Sequence, residues 1–330
     1  MKTQGVVLAE PGRIEVIERE LTIGPDDVLV ETGLAGICGT DKNFYLGRLP
    51  RMNGPGYAPD DPLCSFPYAI GHEGGGLVRE VGARVRRFKP GDHVISFGVN
   101  ATMAGHFVAD ENNLEPSPEG LEPDIACLGE AVACAMFSGL HSGVELGDVA
   151  VVFGTGFAGQ IIAQVMKKKG AATLVAVDVV AEKLDLARSL GADVTIDASR
   201  QDVVAEILEL TEGRGADVVA EVAGTAETVN QSIECVRHNG RLVFYSWLTQ
   251  DVTLNISRLH HDSLTVVNTG LVHHTPEERR IWTPWALRPV IQGSVAIAPL
   301  VNSRFPLAQA AQAFREDADN GAVVKTVLLP

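Results

Sequence analysis

The chain has 330 residues, 45% of them apolar, and a formal net charge of −15. That length supports two domains of ordinary size with full cores, and that apolar fraction excludes a disordered chain. The acidic balance argues against nucleic acid and anionic membrane surfaces as partners.

Met1 to Glu20 holds no long apolar run and carries Glu10, Glu15, Glu18 and Glu20. Neither a signal peptide nor a membrane span is expected there. Five cysteines, Cys38, Cys64, Cys127, Cys134 and Cys235, are irregularly spaced with no C-x-x-C pair. That pattern predicts reduced thiols and a cytoplasmic location rather than a disulfide scaffold.

Up to about residue 125 the pattern is β-rich. Val6-Val7-Leu8, Ile14 to Ile17 and Val28 to Glu31 are short strand-like runs divided by Pro11-Gly12 and Gly24-Pro25. Gly76 to Gly82 and Asp92 to Ser96 continue the series. Residues 47–69 carry Pro50, Gly54, Pro55, Gly56, Pro59, Pro62 and Pro67, which forbid a regular element over most of that length. This loop reads either as a functional lid or as a packed surface loop. From Ile125 to Leu146 the pattern turns helical.

The stretch Val149 to Asp178 organises the remainder. Val149 to Phe153 is an apolar run suited to a strand buried on both faces. Gly154-Thr155-Gly156-Phe157-Ala158-Gly159 follows, then a helix with Ile161, Ile162, Val165 and Met166 on one face and three lysines in its last turn. Thr173 to Asp178 is a second buried strand ending in an acid. Gly154 permits the tight turn, Gly156 lets a pyrophosphate approach the backbone, and Gly159 lets helix and strand pack closely. The free N–H groups of the helix start, led by Phe157 and Ala158, suit phosphate. Asp178 lies 19 residues beyond Gly159, where a carboxylate accepts bonds from ribose hydroxyls and repels a 2′-phosphate. Strand, glycines, helix, strand and acid in that order imply a dinucleotide cofactor, NAD rather than NADP.

Alternating units continue: a helix Ala181 to Leu190, strand Val194 to Ile196, helix Val203 to Leu210, strand Asp217 to Val222, helix Thr225 to Val236, strands Arg241 to Tyr245 and Leu264 to Val267. They imply an α/β doubly wound parallel sheet. The clean alternation of Val252 to Ile256 predicts an edge strand able to pair with a second subunit. Glu277 to Gln292 reads as a helix that Pro284 and Pro289 must kink or interrupt, Leu307 to Asp317 as a helix, and Ala322 to Leu329 as a last strand.

Outside the dinucleotide fold, Gly36-Ile37-Cys38-Gly39-Thr40-Asp41 and Gly71-His72-Glu73-Gly74-Gly75-Gly76 stand out, with Glu130 in Leu128-Gly129-Glu130-Ala131. With these motifs the chain resembles the zinc-containing medium-chain alcohol and polyol dehydrogenases over nearly its entire length, and the sorbitol- and threonine-dehydrogenase-like branch in particular. The resemblance implies a GroES-like catalytic domain over 1–126 and 271–330 and a Rossmann domain over 127–270. It implies Cys38, His72 and Glu130 as ligands of one catalytic zinc, with Cys127 the competing candidate for the third place. It also implies Glu73 as a glutamate behind the metal, Asp41 as the acid orienting the ligand histidine, and Thr40 as the hydroxyl that bonds the substrate alcohol. Toward NAD it adds Lys183 near the adenosine ribose and Lys325 near the pyrophosphate, while Val222 and Gly224 after one strand and Ser246 after the next sit at the carboxyl edge of the sheet, where the nicotinamide would lie.

Two departures stand out. Gly98 to Gly105 holds no cysteine where the family often carries a structural-zinc lobe. Asn43 stands where a relay histidine often ends the proton path, and an amide cannot titrate. His273, His274, Trp282 and Trp285 read equally as pocket lining or as packing. The implied function is NAD-linked oxidation of a small-molecule alcohol by a homodimer or homotetramer. The alternatives are a zinc-free NADPH-dependent alkene or quinone reductase of the same fold, and a nucleotide-binding protein without turnover.

Overall fold

The computed structural model describes residues 1–48, 66–248 and 251–330. Strands β1 (Lys2–Glu10), β2 (Arg13–Glu20) and β3 (Asp27–Gly36) open the chain, then helix α1 (Gly39–Tyr45). β4 (Tyr68–Ala69), β5 (Glu73–Val81), β6 (His93–Ser96), β7 (His106–Asp110) and β8 (Leu114–Pro116) lead to α2 (Pro123–Cys127) and α3 (Gly129–His141). The alternating series is β9 (Val149–Phe153), α4 (Phe157–Lys169), β10 (Thr173–Asp178), α5 (Ala181–Ser189), β11 (Val194–Asp197), α6 (Val203–Leu210), β12 (Ala216–Glu221), α7 (Ala226–Cys235) and β13 (Val236–Phe244). α8 (Ile256–His261), β14 (Thr265–Asn268), α9 (Pro276–Ile291), β15 (Ser303–Pro306), α10 (Ala310–Asp319) and β16 (Thr326–Leu329) complete it.

The chain divides into two compact units, Met1–Ala131 with His274–Leu287 and Val301–Pro330, and Val132–His273 with Arg288–Leu300. Residues 288–300 thus go with the second unit, where the sequence reading had them in the first. Most of the loop at 47–69, including Tyr57 and the lid question, lies outside the described residues.

The first unit is largely antiparallel. One sheet has the order β2-β1-β4, the other β15-β16-β3-β5-β6-β8 with β7 also paired to β3. The β3–β5 register sets Gly36 opposite Glu73, and β16 sets Val327 opposite Gly36. The end of β3, the start of β5 and the start of β16 therefore meet. Further along the same pairing, opposite Thr32, glycine is required: a Cβ on Gly76 would lie 1.9 Å from the Glu31 carbonyl oxygen. Val6, Leu8, Ala35, Ile37, Phe44, Phe314 and Leu328 pack one core under this junction.

The second unit is a six-stranded parallel sheet in the order β11-β10-β9-β12-β13-β14. In sequence order this is 3-2-1-4-5-6, with the reversal between β9 and β12, where open α/β sheets bind dinucleotides at their carboxyl edge. Its central strands are buried on both faces, with Val151, Phe153, Val175, Val219 and Leu242 fully enclosed.

Two expectations fail. Residues 252–256 form no strand: 251–255 carry no regular element, and Ile256 begins α8. Thr253 to Ile256 are exposed. Alternation alone leaves a strand's backbone groups without a ladder partner, and β14 is the edge instead. α9 also runs unbroken through Pro284 and Pro289. Each proline removes one donor to the carbonyl four residues earlier, and the remaining bonds carry the helix past it. Among the described residues, no helix is long and apolar enough to cross a membrane.

Candidate active site

The meeting of β3, β5 and β16 assembles a donor set. Cys38 lies just past β3, and His72 and Glu73 lie at the start of β5. Their ligand atoms all fall within 4.8 Å of one another, and among the described residues this is the only such group of three. A thiol, an imidazole and a carboxylate suit zinc, whose ligand atoms sit about 2.0–2.3 Å from the ion. The residues present therefore fit a divalent zinc with small side-chain adjustment.

Asp41 fixes two members of the set. It is 1% exposed. Its Oδ2 accepts from the Cys38 N–H at 3.0 Å, and its Oδ1 lies 3.3 Å from His72 Nδ1. A ring nitrogen of His72 and the Cys38 sulfur lie within 4.8 Å of each other. With Nδ1 on Asp41, Nε2 is the nitrogen left for a metal. Burial, then the Glu73 charge, push the Cys38 thiol above its ordinary value. Burial opposes charge on His72, yet Asp41 and Cys38 outweigh it and raise the ring well above its ordinary value. Metal ligation takes the thiolate and the neutral imidazole, so binding releases protons here.

Glu73 enters the cluster because Gly36 leaves room. A Cβ on Gly36 would lie 2.3 Å from Glu73 Oε2 and 2.7 Å from Leu128 Cδ2. Glu130 sits in the first turn of α3, 7% exposed, outside the three clustered donors. A carboxylate at a helix N-terminus is stabilised there without a metal. Cys127 is not a member either: it packs against Gly33, and burial pushes its thiol up to about 11.

Lys325 Nζ lies 2.6 Å from Glu73 Oε2 and donates to the Ile37 carbonyl at 3.1 Å. Thr40 and Asn43 lie on α1, the helix that begins beside Cys38. Trp282 and Trp285 stack edge-to-face on α9, 5.3 Å apart.

In the second unit, Gly154 has φ +88° and ends β9, and Gly156 caps α4 with open space where its Cβ would be. A Cβ on Gly159 would lie 1.8 Å from the Gly154 carbonyl oxygen. Asp178 Oδ2 accepts from the Thr155 N–H at 2.7 Å and its hydroxyl at 2.9 Å. Its Oδ1 accepts from the N–H groups of Val179 and Val180. The acid therefore holds the glycine loop from beneath as well as standing at the end of β10. Fully buried Gln160 reinforces this, donating to the carbonyls of Thr155 and of Lys183 on α5. Val222 and Ser246 follow β12 and β13 at the same edge of the sheet.

Sequence reasoning missed Gln160 and Glu221. Glu221 is wholly buried and accepts from Ala223, Gly224, Thr228 and Ser246. One signal was available, since it is an acid ending the apolar run Val218 to Ala220 of a strand. Gln160, inside an ordinary helical pattern, had none.

An antiparallel unit carrying a Cys-His-Glu donor set and a doubly wound parallel unit carrying a glycine loop are the architecture of the medium-chain alcohol dehydrogenases. Residues 24–129 match the alcohol dehydrogenase GroES-like domain, and residues 158–285 match the zinc-binding dehydrogenase domain. The mouse (Mus musculus) sorbitol dehydrogenase is 27% identical over 98% of this chain and 94% of its own length. The crystal structure of 2R,3R-butanediol dehydrogenase from Bacillus subtilis superposes with a TM-score of 0.83 at 26% identity, covering 99% of each chain. A zinc-binding dehydrogenase from Sinorhizobium meliloti bound to NADP also gives a TM-score of 0.83, at 27% identity over all of both chains. The chain belongs to the zinc-type medium-chain alcohol and polyol dehydrogenase family, and is an oxidoreductase.

Proposed function

We propose that the protein is a zinc- and NAD-dependent dehydrogenase of polyols, cyclitols or secondary alcohols. The observation that carries this is the Cys38, His72 and Glu73 cluster. Zinc bound there supplies a Lewis acid that polarises the substrate oxygen. The chain's own part is to prepare that site. Asp41 holds His72 in the tautomer that offers Nε2, and fixes the backbone at Cys38. Thr40, in the first turn of α1, hydrogen-bonds the substrate hydroxyl and takes its proton. Asn43 cannot carry that proton further, so it leaves through water or ribose hydroxyls.

On the cofactor side, Gly154 to Gly159 receive the pyrophosphate. Asp178 receives the ribose and Lys183 lies beside it, while Val222 and Ser246 flank the nicotinamide. The NADP-bound relative motivates the opposing preference. Asp178 favours NAD, because its carboxylate repels a 2′-phosphate. The exposed edge of β14, with Val266 40% exposed, supports assembly with a second copy. The test is reduction of NAD and NADP across a polyol and secondary-alcohol panel, with zinc measured on the same sample. A zinc-bearing protein that reduces neither cofactor with any of them overturns the proposal.

A further inference from the structure

Glu221 is a buried acid to which the proposed reaction gives no task. It ends β12, beside the point where the strand order reverses, and it is 0% exposed. A carboxylate taken wholly from water is costly unless its oxygens are hydrogen-bonded. Here the bonds come from separate segments. Oε1 accepts from the N–H of Ala223 at 3.0 Å, the N–H of Gly224 at 2.8 Å and the Thr228 hydroxyl at 2.8 Å. Oε2 accepts from the Ser246 hydroxyl. One side chain thus joins the loop after β12, the first turn of α7 and the loop after β13.

A third loop closes on the same point. Gly154 touches the β12 loop so tightly that a Cβ there would lie 2.9 Å from both the N and Cα of Ala223. Val222 N–H donates to the Phe153 carbonyl at 2.9 Å, which ties the two loops a second time. Gly224, at φ +77°, leaves 3.3 Å between its missing Cβ and Ser246 Cβ. The glycine loop is anchored separately by Asp178, on the far side of β9 from β12. The adenosine and nicotinamide halves of the edge therefore have different carboxylate anchors, half-buried Asp178 and fully buried Glu221.

We propose that Glu221 is a positioning residue for the nicotinamide half of the cofactor. It shapes the Val222–Gly224 loop and the Ser246 hydroxyl without touching the cofactor, and it leaves the adenosine half to Asp178. This rests on the reading of Val222 and Ser246 as the nicotinamide side. The role is geometric, so it depends on the reach of the side chain more than on its charge. Gln at this position can accept on one oxygen and bond Ser246 through its amide. Asp retains the charge but retracts both oxygens by one methylene.

The experiment compares the purified full-length chain with Glu221→Gln and Glu221→Asp for binding of NAD and of AMP by calorimetry. In Glu221→Asp, NAD affinity falls at least tenfold while AMP affinity stays within twofold. In Glu221→Gln, NAD affinity stays within threefold. NAD binding by Glu221→Asp within twofold of the parent overturns the inference, as does a parallel loss of AMP affinity. If Glu221→Asp does not fold, Thr228→Val decides. It is isosteric, lies outside the proposed cofactor contacts and removes one donor, so a fivefold NAD loss with AMP retained is expected, and unchanged NAD binding overturns the role. A parent that binds neither nucleotide removes the dinucleotide reading itself. A parent that binds both, with insensitive variants, removes only the role of Glu221.

Discussion

Lys325 Nζ lies 2.6 Å from Glu73 Oε2, with the two side chains only 4% and 2% exposed. The same Glu73 is one of the three clustered donors of the proposed zinc site. On that proposal a single carboxylate serves both the Lys325 ammonium and the metal. Breaking a buried pair by removing one member costs about 3–5 kcal/mol, because the other charge is left uncompensated. Lys325→Met should therefore lower stability by about that amount in chelator-treated protein. Zinc supplies a replacement charge, so the loss should shrink when the metal is restored. Thermal unfolding of both forms, with and without chelator, checks this; equal losses in the two states would contradict it.

The identity of the third ligand separates geometry from resemblance. Glu73 is in the cluster and Glu130 is outside it. Glu73→Gln should reduce bound zinc to less than half of stoichiometric after dialysis, whereas Glu130→Gln should keep most of it. Metal analysis of both variants decides. The reverse pattern would restore the set with Glu130 and leave Glu73 behind the metal.

Gly36 should be as sensitive as a ligand. An added methyl would meet Glu73 Oε2 at 2.3 Å and Leu128 Cδ2 at 2.7 Å. Overpacking of this kind costs about 1–3 kcal/mol, and the side chain most easily displaced is Glu73. Gly36→Ala should fold, bind zinc more weakly and lose most turnover. A variant with full zinc content and parental kcat would show that Glu73 need not occupy its observed place.

The glycine loop was legible in the sequence because each glycine answers a local demand, and Gly159 against the Gly154 carbonyl is the plainest case. The same holds for Cys38 and His72, whose flanking motifs mark β3 ending and β5 beginning. What stayed hidden is set by pairings distant in the chain. Lys325 and Glu73 are 252 residues apart, and only the β16–β3–β5 register joins them. Val252 to Ile256 failed for the opposite reason: a local alternation was present, but no neighbouring strand was. Asp178 was placed correctly at the end of its strand, yet its grip on Thr155 could not be read from spacing.

That grip affects cofactor choice. Replacing Asp178 with Ser removes the charge facing a 2′-phosphate, but it also frees Thr155 from two hydrogen bonds. NAD affinity should fall at least tenfold, and the ratio of NADP to NAD affinity should rise. Binding isotherms for both cofactors check the pair of effects. An unchanged ratio would show that the acid serves only the loop.

Acid stability should depend on Asp217, at the opposite end of β12 from Glu221. Burial alone would raise this carboxyl, but Arg214, the Val149 N–H and Arg237 outweigh burial and hold it well below the usual carboxylate range. The bonds are short: 2.6 and 2.9 Å from the Arg214 guanidinium, 2.6 Å from Arg237 and 2.8 Å from the Val149 N–H. A depressed folded-state value means that the folded chain keeps the carboxylate charged where the unfolded chain, titrating near pH 3.9, takes up a proton. The stabilisation is therefore complete above that value and is lost as pH falls toward the depressed one. Asp217→Asn should cost about 2–3 kcal/mol near pH 7, in the range of hydrogen bonds to charged groups. The gap between parent and variant should hold down to about pH 5 and narrow steadily toward pH 2. Urea unfolding of both proteins across that range measures it. A gap that stays constant into acid would mean that Asp217 stabilises the sheet by packing and neutral hydrogen bonding alone.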